Sequence, residues 1–304
     1  MTKTLFTHGA DLDGIGCAVL AKLAYGENIN IGYFNYDEIN NKVENYLRTA
    51  DANSELHITD ISVNEDVADK IDCSEATVIL LDHHATSTPL NSRNWAVVRV
   101  VNEMNLMTCG TEMYYYWLCL KGHLNRTSTL DRFVEIVRDR DTWRWATLGE
   151  AGEICKKVND LFHIFGKEMF IDWCIKKING GSFPNLSETE IVVLNLKQKE
   201  IDDYVKMKDK QLFKTSLCEK PCGIIFAEKY ISEVGNKICE AHPELDFVVL
   251  INPAGFVSYR TVKDNVNVSE IAKTFGGGGH PKAAGSQFSD EIKTALIRTV
   301  FPEI

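Results

Sequence analysis

An α/β fold is predicted, with a parallel-sheet N-terminal domain, a helical linker and a smaller α/β C-terminal domain. Three features predict it. β-rich runs alternate with helical segments through the first hundred residues, the pattern of parallel strands joined by crossover helices. A long charged stretch near residue 200 reads as one helix. Strand and helix alternation then resumes from about residue 215. The expected domains are residues 1–185 and 216–304, with residues 186–215 as the linker.

KTLFTHGADLDGIGCAVLAKLAYG opens the chain as strand, loop and helix: β-rich residues to His8, a polar turn, then apolar residues at helical spacing through Leu23. NINIGYFNY, residues 28–36, is a second strand and is followed by a polar helix at 38–48. ELHITDIS gives a third strand ending near Asp60, and ATVILLDHH a fourth ending at Asp82. Residues 103–178 read as mainly helical, and a turn in GGSFPN precedes the long charged helix. In the second domain CGIIFAE, FVVLINP and FVSYRT read as strands, with ISEVGNKICEAH as a helix and one more helix after GGGGHPKAAGSQF.

A chain of 304 residues can bury a core in each of two domains. With 44% hydrophobic and 25% charged residues it is neither disordered nor fibrous in character. No apolar run approaches the roughly 20 residues of a membrane helix. The N-terminus lacks the basic-then-apolar layout of a secretory signal, so a cytoplasmic location without membrane association is expected. Nine scattered cysteines fit reduced thiols rather than a disulfide framework. The formal charge of −10 argues against a broad duplex-binding face, whereas a small anionic substrate can be met by a few local cations or metal ions.

The candidate chemistry lies where the strands end. In an open parallel sheet, ligands bind beyond the carboxyl ends of the strands, and His8, Asp11, Asp13, Asp60 and the triplet Asp82, His83, His84 all fall there. Capping of the following helix explains one aspartate of HGADLDG but not a histidine and two aspartates together. A turn explains Asp60 alone, and a backbone hydrogen bond explains His84 alone. Arg138-Asp139-Arg140-Asp141 reads either as a solvated salt-bridge patch or as the source of one more ligand. Together these are oxygen and nitrogen donors without cysteine, a set that suits two divalent ions of the manganese or magnesium type better than structural zinc. Such a pair serves hydrolysis of a phosphate ester or anhydride.

HGADLDG, TDI, the literal Asp82-His83-His84 and DRDTW, in that order, resemble the motif set of the DHH phosphoesterases, which include the RecJ exonucleases and the nanoRNases. GGGGHPKAAG resembles the glycine-rich signature of the DHH-associated domain, so the resemblance spans nearly the whole chain. It implies two manganese ions: one on His8, Asp11 and Asp60, the other on Asp13, Asp60, His83 and an aspartate of the DRD cluster. Both Asp139 and Asp141 fit that last place, and Asp139, nearer the preceding helix, is preferred. Asp82 is implied to orient the neighbouring imidazole, and His84 to donate to the scissile phosphate or the leaving oxygen. In the second domain Arg260 is implied to grip a phosphate, and Thr261 to keep the hydroxyl of the family's serine.

The run Gly276–Gly279 reads as an anion-binding nest rather than a plain hairpin because His280 and Lys282 follow it; Gly277, Gly278, Gly279, His280 and Lys282 are therefore candidate phosphate contacts. Metals in one lobe and an end-phosphate grip in the other predict a cleft for short substrates. CEKPC, with Cys218 and Cys222, lacks a second ligand pair and is not expected to bind zinc. Tyr114–Trp117 are expected in the core or in a dimer contact, and Trp143 and Trp145 are expected to pack. The long helix near residue 200 offers a surface on which a homodimer can form.

The resemblance implies a manganese-dependent phosphodiesterase acting on short single-stranded oligonucleotides or dinucleotides. A cyclic dinucleotide or 3'-phosphoadenosine 5'-phosphate would engage the same parts. Inorganic pyrophosphatase ranks lower, because related pyrophosphatases lack the GGGH segment. A catalytically inactive nucleotide sensor is the alternative of another class, and the complete ligand set speaks against it.

Overall fold

The computed structural model describes residues 2–301. They form two compact units that divide after Leu194. The first contains β1 (Thr2–His8), α1 (Leu12–Tyr25), β2 (Ile29–Phe34), α2 (Ile39–Leu47), β3 (Ser54–Thr59), α3 (Glu65–Asp72), β4 (Thr77–Asp82) and β5 (Ala96–Val98). The helices α4 (Gly110–Leu120), α5 (Ser128–Asp141), α6 (Glu150–Phe165) and α7 (Lys167–Asn179) follow. The expected linker is largely one helix, α8 (Glu188–Asp209), and the unit boundary falls inside it rather than at its ends.

The five strands run parallel in the order β2-β1-β3-β4-β5. Successive residues point to opposite faces of a strand, which is why Leu5 joins one core and Phe6 another. Leu5 packs with α1 and α4–α7 through residues such as Ile15, Tyr114, Phe133 and Phe170. Phe6 packs with α2 and α3 through Ile39, Val43, Val67 and Ile71. β5 is an addition to the strands expected from sequence; its three residues are too few to show a period.

β1 is paired to β2 on one side and to β3 on the other. The chain therefore reverses its direction of travel across the sheet between β1 and β3, and the loops beyond those two strands diverge. Such a switch point leaves a crevice at the carboxyl edge. The loop after β1 carries His8, Asp11 and Asp13, and the loop after β3 carries Asp60.

His57, in the middle of β3, has a core role. It is fully buried, its Nδ1 lies 2.6 Å from the Tyr114 hydroxyl, and its Nε2 lies 2.8 Å from Glu55. Tyr114 and Tyr115 are likewise core residues, whereas Tyr116 is exposed.

The second unit is built on β6 (Phe213–Leu217), β7 (Lys220–Phe226), β8 (Phe247–Asn252), β9 (Phe256–Arg260), β10 (Gly278–His280) and β11 (Ala283–Gln287), with α9 (Ile231–Ala241), α10 (Val268–Thr274) and α11 (Asp290–Val300). Its sheet order is β10-β11-β9-β8-β7-β6, and only β7 and β8 run parallel. Cys218 and Glu219 form the β6–β7 turn with positive φ at both residues, the backbone that a two-residue hairpin requires. Among the described residues no helix is long and apolar enough to cross a membrane.

Candidate metal centre

Asp11 does both jobs that the sequence offered it. One carboxylate oxygen caps α1 by accepting from the Gly14 amide at 3.2 Å, and the other lies 2.9 Å from His8 Nδ1. Burial alone would raise its pKa; the His8 hydrogen bond and charge, with the Gly14 amide, bring it below its usual value. Asp13, the second residue of α1, is buried and is gripped by the start of α4. The Gly110 amide donates to one oxygen at 2.6 Å and the Thr111 amide to the other at 2.8 Å. Unsatisfied N–H groups at a helix start form a natural seat for an anion.

Asp60 follows β3 with φ of 58°, a left-handed conformation that aspartate tolerates better than most residues. It is 2% exposed, and α4 passes so close that a Cβ on Gly110 would lie 2.7 Å from the Asp60 Cβ. Only glycine lets the helix start reach Asp13 at this spot. His83 Nε2 stands among three carboxylates: 3.2 Å from Asp60, 3.6 Å from Asp13 and 3.7 Å from Asp141. His8 Nδ1 lies 4.0 Å from the second Asp60 oxygen.

Two donor groups at metal-ligand spacing result, His8–Asp11–Asp60 and Asp13–His83–Asp141, and a third gathers Asp60, Asp82, His83 and His84. Their electrostatics are unbalanced. Burial, with the charges of Asp13 and Asp11, raises the pKa of Asp60 well above the carboxylate range. The same three causes push Asp141 up to about 8. The second oxygen of Asp60 is buried and accepts no hydrogen bond. An orphaned, buried carboxylate oxygen among like charges is costly, and divalent cations held by oxygen and nitrogen donors relieve that cost. The residues therefore fit metal ions.

Asp82 stands apart from this competition. It is buried, and it accepts from the Ser62 hydroxyl, from the His83 amide at 2.8 Å and from His84 Nδ1–H at 2.7 Å. Burial would raise it, yet the hydrogen bonds from His84 and Ser62 and the imidazole charges bring it below its usual value. A bound carboxylate fixes the His84 ring with Nδ1 protonated and Nε2 turned away. The Asp82 hydrogen bond also raises the pKa of His84. Nε2 meets the hydroxyl of Tyr36 at 3.1 Å.

Comparison with known proteins adds an independent observation. Residues 228–303 match the DHHA1 domain family. Over 98% of its own length the chain is 33% identical to the oligoribonuclease NrnB of Bacillus subtilis (strain 168), of which it covers 75%. The chain belongs to the DHH family of phosphoesterases. The 3',5'-cyclic-nucleotide phosphodiesterase of Helicobacter pylori is a more distant relative, 24% identical over 97% of this chain and 95% of that protein. Two solved structures share the fold. One is a DHH domain described as belonging to a family of ribosomal proteins (TM-score 0.56, 13% identity, 98% of this chain and 86% of that one). The other is the pGpG-specific phosphodiesterase PggH from Vibrio cholerae (TM-score 0.53, 13% identity, 99% and 100%).

In this DHH phosphoesterase the preferred DRD aspartate needs correction. Asp139 and Asp141 lie two residues apart on α5, about 200° around the helix, so they face different ways. Asp139 is buried against Arg138 at 3.2 Å and Arg144 at 3.1 Å, while Arg138 also donates to Glu112 at 2.8 Å. Asp141 is the one that joins His83 and Asp13. Trp143 also departs from expectation: it is 69% exposed, with φ of 60°. Trp145 packs against the core of the first unit.

Within the matched DHHA1 segment the glycine run divides: Gly278 and Gly279 lie in a strand, while Gly276, with φ of 72°, and Gly277 precede it. β10 pairs antiparallel with β11, and a Cβ on Gly277 would lie 2.0 Å from the Gly285 carbonyl, so close backbone approach is what demands glycine there. Lys282 is engaged by Asp264 at 2.7 Å and by the Val262 carbonyl at 3.1 Å. Thr261 is buried and donates to the Asp246 carbonyl at 2.7 Å, so its hydroxyl does not face a ligand. Arg260 is different. Its Nε is buried without a hydrogen-bond partner, it forms no ion pair among the described residues, and Nη2 reaches only the Ser232 hydroxyl at 3.4 Å. His280 is exposed on β10.

Sequence reasoning missed Ser62, Tyr36 and the Gly110–Thr111 amides. Tyr36 carried a usable signal, since it stands just beyond the carboxyl end of β2. The amides carried none, because a backbone N–H has no residue identity.

Proposed function

We propose that the protein is a manganese-dependent phosphodiesterase that hydrolyses short single-stranded oligonucleotides to mononucleotides. The observation that carries the reading is the meeting of His8–Asp11–Asp60 with Asp13–His83–Asp141 from four separate segments. The 33% identity to an oligoribonuclease supports the substrate class. His8, Asp11 and Asp60 would hold one cation and Asp13, Asp60, His83 and Asp141 the other. When bound, a pair of divalent ions supplies Lewis-acid charge at the phosphate and a more acidic water.

The chain's own residues do the rest. Asp13 is oriented by two amides, and Asp82 fixes His84 so that Nε2 serves the scissile phosphate or the leaving oxygen. Arg260, which forms no ion pair among the described residues, grips a substrate phosphate, and His280 is a second contact. We place the reaction in the cytoplasm, where the nine free thiols would stay reduced. Likeness to the Helicobacter cyclic-nucleotide phosphodiesterase favours a second reading, a cyclic nucleotide opened by the same parts.

Purified protein with manganese should release mononucleotides from labelled RNA 2- to 5-mers and none with chelator. Turnover confined to a cyclic nucleotide would favour the second reading, turnover confined to pyrophosphate would contradict both, and binding without turnover would favour a sensor. Arg260→Ala is expected to raise KM by roughly 30-fold, the loss of a charge-assisted contact worth about 2 kcal/mol, with kcat within a few-fold. A fall in kcat at constant KM would contradict the phosphate grip.

A further inference from the structure

The half-exposed aromatic ring over the metal cluster has no part in the reading above. Tyr36 is 54% exposed although its ring is large and apolar. The ring centroid lies 5.3 Å from that of His8 and 5.8 Å from that of His84. Its hydroxyl is tied to His84 Nε2 at 3.1 Å, and His84 is tied in turn to Asp82. A flexible surface tyrosine would lose side-chain entropy on being ordered; here two imidazoles and one hydrogen bond hold it ready. The result is a fixed apolar surface beside a centre otherwise made of carboxylates and imidazoles.

A phosphate or pyrophosphate alone gains nothing from such a surface. A ligand with a phosphate and a flat ring a few ångströms apart uses both. We infer that Tyr36 is the stacking platform for the nucleobase next to the scissile phosphate, and so a specificity-determining residue that makes the centre select nucleotides over simple phosphates. This rests on the phosphodiesterase reading. The ring is the recognising part, and it keeps its place against the two imidazoles when His84 Nε2 passes from the Tyr36 hydroxyl to the substrate.

Base–aromatic stacking predicts the size of the effect. Six measurements test it: wild type, Tyr36→Phe and Tyr36→Ala in manganese, each on a 5'-phosphorylated adenine dinucleotide and on the same dinucleotide with abasic sugars. Tyr36→Ala should raise KM for the adenine dinucleotide by about 10- to 100-fold and leave the abasic one within about 3-fold. Tyr36→Phe, which keeps the ring, should stay within about 3-fold of wild type in KM on both. An equal penalty on both substrates, or none on either, overturns the inference while the phosphodiesterase reading stands. No nucleotide release by the wild type overturns that reading and this inference with it. Because Tyr36 lies outside the described cores, unchanged melting temperatures are expected for both variants.

Discussion

Asp60→Asn is expected to lower kcat by about three orders of magnitude, or roughly 4 kcal/mol of transition-state stabilisation, with the fold intact. Asp60 groups with His8 and Asp11, one of its oxygens lies 3.2 Å from His83 Nε2, and its second oxygen has no hydrogen-bond partner. Asparagine matches its shape and tolerates the left-handed backbone at this position. It also removes a buried, ionisable carboxyl from a crowded acidic cluster, so the metal-free variant should melt no lower than the wild type. Manganese should raise the melting temperature of the wild type through linkage, and this shift should shrink sharply in the variant. Thermal unfolding with and without manganese, alongside turnover, checks both halves. Retained activity, or a retained metal shift, would contradict the bridging role.

The second large effect separates two neighbours. Asp141→Asn should cost about 100-fold or more in metal affinity and turnover, at least the upper range seen when groups merely supporting a ligand are lost, with little change in metal-free stability. Asp139→Asn should do the reverse. Its carboxylate faces Arg138 and Arg144, so its loss leaves buried positive charge less well met and lowers stability by about 3 kcal/mol, with metal affinity close to that of the wild type. Because the free Asp141 carboxyl holds its proton up to about 8, a cation must displace that proton. Wild-type affinity should therefore weaken as pH falls below about 8, and this dependence should flatten in Asp141→Asn. Calorimetric titration with manganese at several pH values distinguishes the two variants; equal loss in both would contradict the assignment.

Most of the first sheet was legible in the sequence, because its strands are apolar runs that end in charged residues with no place in a core. LFTH ends at His8 and VILLD at Asp82, and the strand-end rule converts those endings into one site. What was not legible has a common physical character. Asp139 and Asp141 differ only in which side of α5 they occupy, which depends on where the helix sits. The amides that hold Asp13 come from about a hundred residues away, a contact made by topology. Lys282 and Thr261 have the right chemistry for a phosphate, but partners on neighbouring loops already occupy them. Of the glycines beside them, Gly277 and Gly279 are required by close approach to β11, and Gly276 by its left-handed backbone.

On the reading proposed above, side chains from four segments hold a pair of cations. Anomalous diffraction at the manganese edge, from crystals grown with that ion, tests it most directly. Two peaks are predicted, one against His8 and Asp11, the other against Asp13, His83 and Asp141, with Asp60 touching both. A single peak elsewhere, or no peak at these residues with the ion in excess, would contradict the account.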